Sequence, residues 1–265
     1  TGSWSKYALD EAKKEGPVNV VWNGKETNYD RLPAMSSLQL NPQAPYVYIT
    51  SNETIQGVQF ATDPDTGGVP LVCDASSDFL HRPVDVKRYG MLYACAQKNA
   101  GPAGLTIAII RDDLVKRSQD TQAGYLSYRI HVENNSLWNT PPVFGVYVFQ
   151  LIARWLQEEI GGLDKMYALN REKARMLYEV IDASGGFYRG HAQPDCRSVM
   201  NVTFRLPNED LEKKFLAEAA ALQLCELKGH RSVGGMRASI YNAMPLAGVQ
   251  TLRDFMKDFL ARNGA

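Results

Sequence analysis

Residues 89–110 read YGMLYACAQKNAGPAGLTIAII, with Lys98 near their middle. Two short apolar runs, MLYACA and LTIAII, flank that lysine. Each is brief, partly aromatic or β-branched, and bounded by turn formers, which predicts buried strands. A lysine just past a hydrophobic strand and next to Gly-Pro-Ala-Gly sits where the carboxyl ends of an α/β sheet open into a crevice. Burial there penalises the ammonium form. The amine is then a nucleophile near neutral pH, as Schiff-base chemistry with a carbonyl requires. The alternative for this stretch alone is a solvated lysine in a hairpin loop, since buried lysines are rare.

Working upstream, PLVCD brings a second buried strand to Asp74, with the hydroxyls of Ser76 and Ser77 just beyond. In a parallel sheet Asp74 and Lys98 project into the same crevice from two strand ends. That pairing suits pyridoxal 5'-phosphate. The carboxylate keeps the pyridine nitrogen protonated so that the ring accepts electrons, and the lysine holds the aldehyde as an imine and shuttles the proton. Taken alone, Asp74 reads as a helix N-cap.

The chain has 265 residues, 45% apolar and 22% charged, enough for two domains or one large one. Lys plus Arg equals Asp plus Glu at 29 each, so no global field favours polyanions, and no local patch suggests nucleic acid. No apolar run reaches bilayer length, and the start TGSWSKYALDEAKKEG lacks the order of a secretory signal, so a soluble cytoplasmic protein is expected. Cys73, Cys95, Cys196 and Cys225 are widely spaced without a paired-ligand motif, which predicts reduced thiols, most of them buried. His81, His131 and His191 show no metal-ligand spacing.

Outward from the two strands, the pattern predicts a helix from Ser3 or Ser5 through Glu15, stopped by Gly16 and Pro17, then a strand over 18–22. A long connection with one helical turn covers 24–45, and a strand covers 46–50. Residues 85–89 predict a helical turn, whereas 124–138 are polar and poorly periodic. NTPP then starts a long helix over 142–160, with Phe144, Val148, Leu151, Ile152 and Trp155 at helical spacing and Gly161-Gly162 as its end. A second long helix covers 163–183. Beyond it, VMNVTFRL and MRASIYN read as strands, and 209–224 and 249–262 as helices. The expected organisation is a large α/β domain over 1–160 and a smaller α+β domain over 161–265. Arg82 and Arg88 read as surface charges.

The strings NETIQG, CAQKNAGPAG, NTPP and KGHRSVGGMRASIYNAMPL closely resemble the phosphoserine aminotransferases, class-V pyridoxal phosphate enzymes of fold type I, and the resemblance runs nearly end to end. It implies a mostly parallel central sheet and a homodimer whose active site is shared across the interface. By resemblance Lys98 forms the imine with the cofactor, Gln97 meets its phosphate, Asp74 its pyridine nitrogen, Thr54 its phenolic oxygen, and Trp4 stacks on its ring. Asn139 and Thr140 match residues that reach the cofactor phosphate of the neighbouring subunit; on sequence alone they read as a loop-to-helix cap. Arg237 matches the residue that holds the substrate α-carboxylate, while His230 and Arg231 help to hold the phosphate or the distal carboxylate of glutamate. Planar guanidinium forks suit both groups, and surface ion pairs are the alternative.

The implied reaction exchanges an amino group between O-phosphoserine with 2-oxoglutarate and 3-phosphohydroxypyruvate with glutamate, in serine biosynthesis. Cys95 stands where the family usually has a small residue, and Ala100 where it has a branched one. Full-length members also begin with a Gly-Pro segment, a basic residue and a Gly-rich phosphate loop that this sequence does not contain. A second expectation follows: the chain alone is a catalytically inactive structural fragment that needs a complementary N-terminal piece. A plastid leader would lie in that portion. A third reading, KNAGPAG as a nucleotide phosphate loop, fails because P-loop glycines precede the lysine.

Overall fold

The computed structural model describes residues 1–119 and 121–264. Its first helix, α1 (Ser3–Glu15), ends at Gly16. Gly2 is the N-cap, and no side chain at the cap closes the helix, so the expectation for Ser3 or Ser5 does not hold. A carboxylate from elsewhere in the chain does that work, as described below. Residues 18–22, expected as a strand, join no ladder among the described residues, and Val18, Val20 and Val21 are exposed. An apolar β-branched run becomes a strand only where another edge offers N–H and C=O partners. Residues 24–45 hold two 3-10 turns, Gly24–Thr27 and Met35–Ser37.

The central sheet follows. Its strands are β1 (Val47–Thr50), β4 (Leu71–Asp74), β5 (Tyr89–Cys95) and β6 (Thr106–Ile110), while β2 (Asn52–Glu53) and β3 (Val58–Gln59) form a separate hairpin. The order is β1-β4-β5-β6. β1 and β5 run parallel to β4, and β6 runs antiparallel to β5, so the sheet is mostly parallel. Register places Thr50 beside Asp74 and Asp74 beside Tyr93. Strand alternation then gives the sheet two unlike faces. Ile49, Leu71, Cys73, Leu92 and Ala94 pack into a core with Phe60, Phe79 and Tyr89. The opposite face carries Tyr48, Thr50, Asp74, Tyr93 and Cys95.

A 3-10 turn (Val86–Arg88) precedes β5, and the helices α2 (Asp112–Val115) and α3 (Tyr128–Glu133) follow β6. Helix α3 lies inside the stretch read as non-periodic; at six residues it is too short to display a 3.6-residue repeat. Helix α4 (Val143–Arg154) starts after Pro142 and continues into a π-helical turn, Trp155–Glu159. Much of α4 is exposed, including Val143, Phe144, Tyr147 and Leu151.

Helix α5 (Leu163–Asp182) buries Met166, Asn170, Lys173, Ala174, Leu177 and Ile181 at helical spacing. A three-stranded antiparallel sheet of β7 (Arg189–Gly190), β8 (Asn201–Arg205) and β9 (Met236–Ser239) packs with α5, α6 (Glu209–Ala221) and α7 (Leu246–Asn263). Strand β7, two residues long, carries no pattern that sequence reading detects. Leu177, Phe204, Phe215, Met256 and Phe259 form the centre of this second core. The two cores meet where Val58 packs on Ala192 and Cys196.

All four cysteines are free: Cys73 and Cys196 buried, Cys95 half-buried and Cys225 exposed. Arg82 is not a surface charge. It pairs with Asp63 at 2.8 Å, and the two side chains are only 14% and 6% exposed. No described helix is long and apolar enough to cross a membrane.

Candidate active site

The site is built where β4, β5 and the β2–β3 hairpin end together. Asp74 is the last residue of β4. Its Oδ1 accepts from the Ser76 backbone N–H at 2.8 Å, and its carbonyl accepts from Ser51 N–H at 2.9 Å. Three residues beyond β5, Lys98 turns back toward the hairpin and donates from Nζ to Thr54 Oγ1 at 3.0 Å. The same ammonium stands 4.8 Å from the centre of the Trp4 ring. Burial holds the Lys98 pKa below its ordinary value, and Arg237 pushes the same way. The charges of Asp74, Cys95 and Glu53 oppose that shift, so Asp74 and Arg237 both lie within electrostatic reach of the amine.

Thr54 is buried and rigidly held. The turn of residues 54–57 closes the β2–β3 hairpin, with Gly57 N–H donating to Glu53 C=O at 2.8 Å. Gly57 has φ +68°, and the following chain passes hard against β8, so this corner admits no side chain. Thr203 Oγ1 bonds the Gln56 carbonyl at 2.8 Å and braces the turn from that side.

Trp4 is positioned by Glu53, a fully buried carboxylate at the N-terminus of α1. Glu53 accepts from Trp4 N–H at 2.9 Å, Ser5 N–H at 2.9 Å and Ser5 Oγ at 2.5 Å. A carboxylate satisfies orphan helix-start donors and complements the positive end of the helix dipole. Ser3 joins the same dock, its N–H donating to Gln56 Oε1 at 3.2 Å.

Arg237 lies on β9, half-buried, and its Nε is buried without a hydrogen-bond partner among the described residues. An unsatisfied guanidinium donor beside a nucleophilic amine is a prepared seat for a carboxylate. The GHRSVGG turn that precedes it is tight: Gly229 N–H donates to Gly235 C=O at 2.7 Å, and a Cβ on Gly229 would lie 2.0 Å from the Gly234 carbonyl oxygen. His230 shares a 2.7 Å bond with Ser232 Oγ, and Arg231 is exposed with no ion pair among the described residues. Gln97 is exposed beside Lys98.

Asn139 and Thr140 are exposed on the loop before α4, where Asn139 Nδ2 donates to the Thr140 carbonyl at 3.3 Å. No contact among the described residues brings them to Lys98. The structure thus gathers Trp4, Thr54, Asp74, Lys98 and Arg237, and leaves Gln97, Asn139, Thr140 and Arg231 exposed and His230 half-buried in its own turn.

Sequence reading missed Glu53, Tyr48 and Tyr93. The two tyrosine hydroxyls lie 3.2 Å apart on the Asp74 face. Burial, then the charge of Asp74, pushes the Tyr48 hydroxyl up to about 12 and raises Tyr93 further, so both stay protonated donors. The alternation of VYIT and YGMLYAC would have put them there.

The donor set fits pyridoxal phosphate: a flat ring to stack on, a carboxylate, a hydroxyl and an amine whose pKa burial lowers, gathered at these strand ends. Among the described residues there is no cluster of His, Cys, Asp or Glu suited to a metal ion.

Comparison with known proteins gives the same direction. The model for aminotransferase class-V matches residues 1–252. A phosphoserine aminotransferase of Rhodopirellula baltica is 58% identical, over 99% of this chain and 70% of its own length. The solved phosphoserine aminotransferase from Bacillus circulans subsp. alkalophilus superposes with TM-score 0.96 at 49% identity, over 99% of this chain and 72% of that one. The pyridoxal-phosphate-bound enzyme from Trichomonas vaginalis gives 0.91 at 42%, over 97% and 73%. With its strand ends, its lysine and its mostly parallel sheet, this chain belongs to the class-V aminotransferase family.

Proposed function

We propose that the protein transfers an amino group between O-phosphoserine and 2-oxoglutarate with pyridoxal phosphate, yielding 3-phosphohydroxypyruvate and glutamate. The observation that carries this reading is Lys98 held at 3.0 Å from Thr54 and over Trp4, next to Asp74 and an unsatisfied Arg237. When bound, the cofactor supplies an electron sink for the substrate's α-carbon. Asp74 would keep positive charge on its ring nitrogen, Trp4 would cover one face, and Thr54 would donate to its phenolic oxygen. Lys98 would hold the aldehyde and is placed to move the α-proton, a role suited to an amine whose burial favours the neutral form.

Arg237 takes the α-carboxylate in a bidentate grip, and its charge beside Lys98 further disfavours protonation of the amine. His230 and Arg231 hold the phosphate, or the distal carboxylate of glutamate, at the end of the substrate away from the α-carbon. Gln97 meets the cofactor phosphate together with Asn139 and Thr140 of a second copy. The exposed apolar residues Leu137, Trp138, Val143, Phe144 and Tyr147, directly beside Asn139 and Thr140, support such a homodimer. The chain divides near residue 160 into a cofactor-binding domain (1–160) and a smaller domain (161–265), each with its own core. Small charged substrates and the lack of a membrane-spanning helix among the described residues suit a cytoplasmic enzyme.

The test is a coupled assay of the protein with added pyridoxal phosphate, phosphoserine and 2-oxoglutarate. Parallel double-reciprocal lines, the mark of two half-reactions, are expected. Amino transfer from other donors but not from phosphoserine would overturn the substrate assignment.

A further inference from the structure

Three asparagines outside the site just described converge on one short stretch of chain. Asn99 follows Lys98, Asn242 lies five residues beyond Arg237, and Asn170 sits mid-way along α5; all three are buried, at 8%, 3% and 0% exposure. Asn99 Nδ2 donates to the Phe79 carbonyl at 2.6 Å. Asn242 Nδ2 donates to the Leu80 carbonyl at 2.9 Å, and Asn170 Nδ2 to the His81 carbonyl at 3.2 Å. Three consecutive carbonyls are thus each taken by a different amide. The chain can fan them apart because Leu80 is in the left-handed region, φ +63°, a conformation that costs a leucine roughly 1–2 kcal/mol.

The amides are also joined to one another. Asn99 Oδ1 accepts from the Asn242 backbone N–H at 2.8 Å, and Asn242 Oδ1 accepts from Asn170 Nδ2 at 2.8 Å. Lys173, one helical turn from Asn170 and fully buried, holds the Asn242 loop from below through the carbonyls of Ile240 (3.0 Å), Tyr241 (2.8 Å) and Met244 (3.2 Å). The stretch they seize, residues 79–81, begins five positions after Asp74 and is tied back to the residue that follows it, Phe79 N–H donating to Ala75 C=O at 2.8 Å.

We propose that Asn99, Asn170 and Asn242 form a positioning clamp that sets Lys98, Asp74 and Arg237 at fixed separations. The three functional groups come from three separate segments, and this buried amide set bonds all three segments to one another. The clamp touches neither substrate nor cofactor. It acts through the segments that do, and a displacement of about 1 Å at such groups costs about a hundredfold in rate. The inference rests on the roles given above to Lys98, Asp74 and Arg237.

Asn242→Ala and Asn99→Ala test it, with Met256→Ala, which empties a buried volume in the second core, as a control of matched stability loss. In cofactor-free protein, the pH midpoint for modification of Lys98 by an amine reagent is read by peptide mapping; with cofactor, KM and kcat for phosphoserine are read separately. Both asparagine variants are expected to raise the Lys98 midpoint, because a loosened amine regains water, and to lower kcat/KM about a hundredfold. The double variant should cost little more than either single one, since they break one unit. Met256→Ala should lower thermal stability and move neither readout. Folded Asn242→Ala with an unchanged midpoint and KM, or Met256→Ala shifting them equally, overturns the clamp. If wild type fails to use phosphoserine, the proposed substrate falls while the midpoint still decides the clamp. If Asn99→Ala does not fold, Asn242→Ala, which keeps the backbone N–H for Asn99, carries the test.

Discussion

Replacing Glu53 with Gln perturbs one oxygen and one charge at the hub that places Trp4. Glu53 is fully buried and accepts from Trp4 N–H through Oε2 and from Ser5 N–H and Oγ through Oε1. A glutamine keeps one acceptor and turns an NH2 toward the other donors. The best orientation preserves the Ser5 pair and loses the Trp4 bond. A hydrogen bond to a charged group contributes about 1.5–3 kcal/mol, and the helix-start charge adds about 0.3–1 kcal/mol. The expected loss is therefore about 3 kcal/mol, near a hundredfold in the ratio of docked to undocked α1. Urea unfolding gives the global part of this loss, and hydrogen exchange of residues 3–15 gives the local part. Trp4 fluorescence should shift toward that of a solvated indole. A loss below about 0.5 kcal/mol with unchanged exchange would refute the assignment of Glu53 as the anchor of the helix.

Three further outcomes are expected. Gly57→Ala places a Cβ 2.6 Å from the Asn201 carbonyl oxygen at φ +68° and should cost about 2–4 kcal/mol in urea unfolding, with weaker cofactor binding through Thr54. Burial lowers the Lys173 pKa from 10.5 to about 8, so between those values the unfolded chain binds more protons and stability rises with pH. Lys173→Met should abolish that rise in denaturation midpoints measured from about pH 8 to 9.5 and destabilise at every pH, because three carbonyls lose their donor. Phe144→Glu introduces charge into the exposed apolar stripe of α4 and should convert a dimer to monomers in sedimentation velocity; an unchanged dimer would remove that stripe from the interface.

The parts of the fold legible in the sequence are those whose cause is local. PLVCD and MLYACA are short apolar runs that end at turn residues, so both strand ends, and with them Asp74 and Lys98, could be read from neighbours along the chain. Gly161-Gly162 and Gly16-Pro17 stop their helices for reasons within one turn. What stayed hidden depends on partners far away in sequence. The cap of α1 comes from Glu53, about 50 residues on, so Ser3 and Ser5 looked like caps. Arg82 looked solvated because Asp63 is 19 positions upstream. Residues 18–22 have the composition of a strand and no ladder. The three-asparagine set draws on segments near 99, 170 and 242, and no periodicity or motif marks side chains whose only common feature is the carbonyls they share.

Every role proposed for this site depends on Lys98 being the amine that takes the cofactor aldehyde. Incubation with pyridoxal phosphate, reduction with borohydride and peptide mapping test it directly. One pyridoxyl adduct is expected, on Lys98, and it disappears in Lys98→Ala together with the visible absorbance band. An adduct on another lysine such as Lys173, or a retained band in Lys98→Ala, would contradict it.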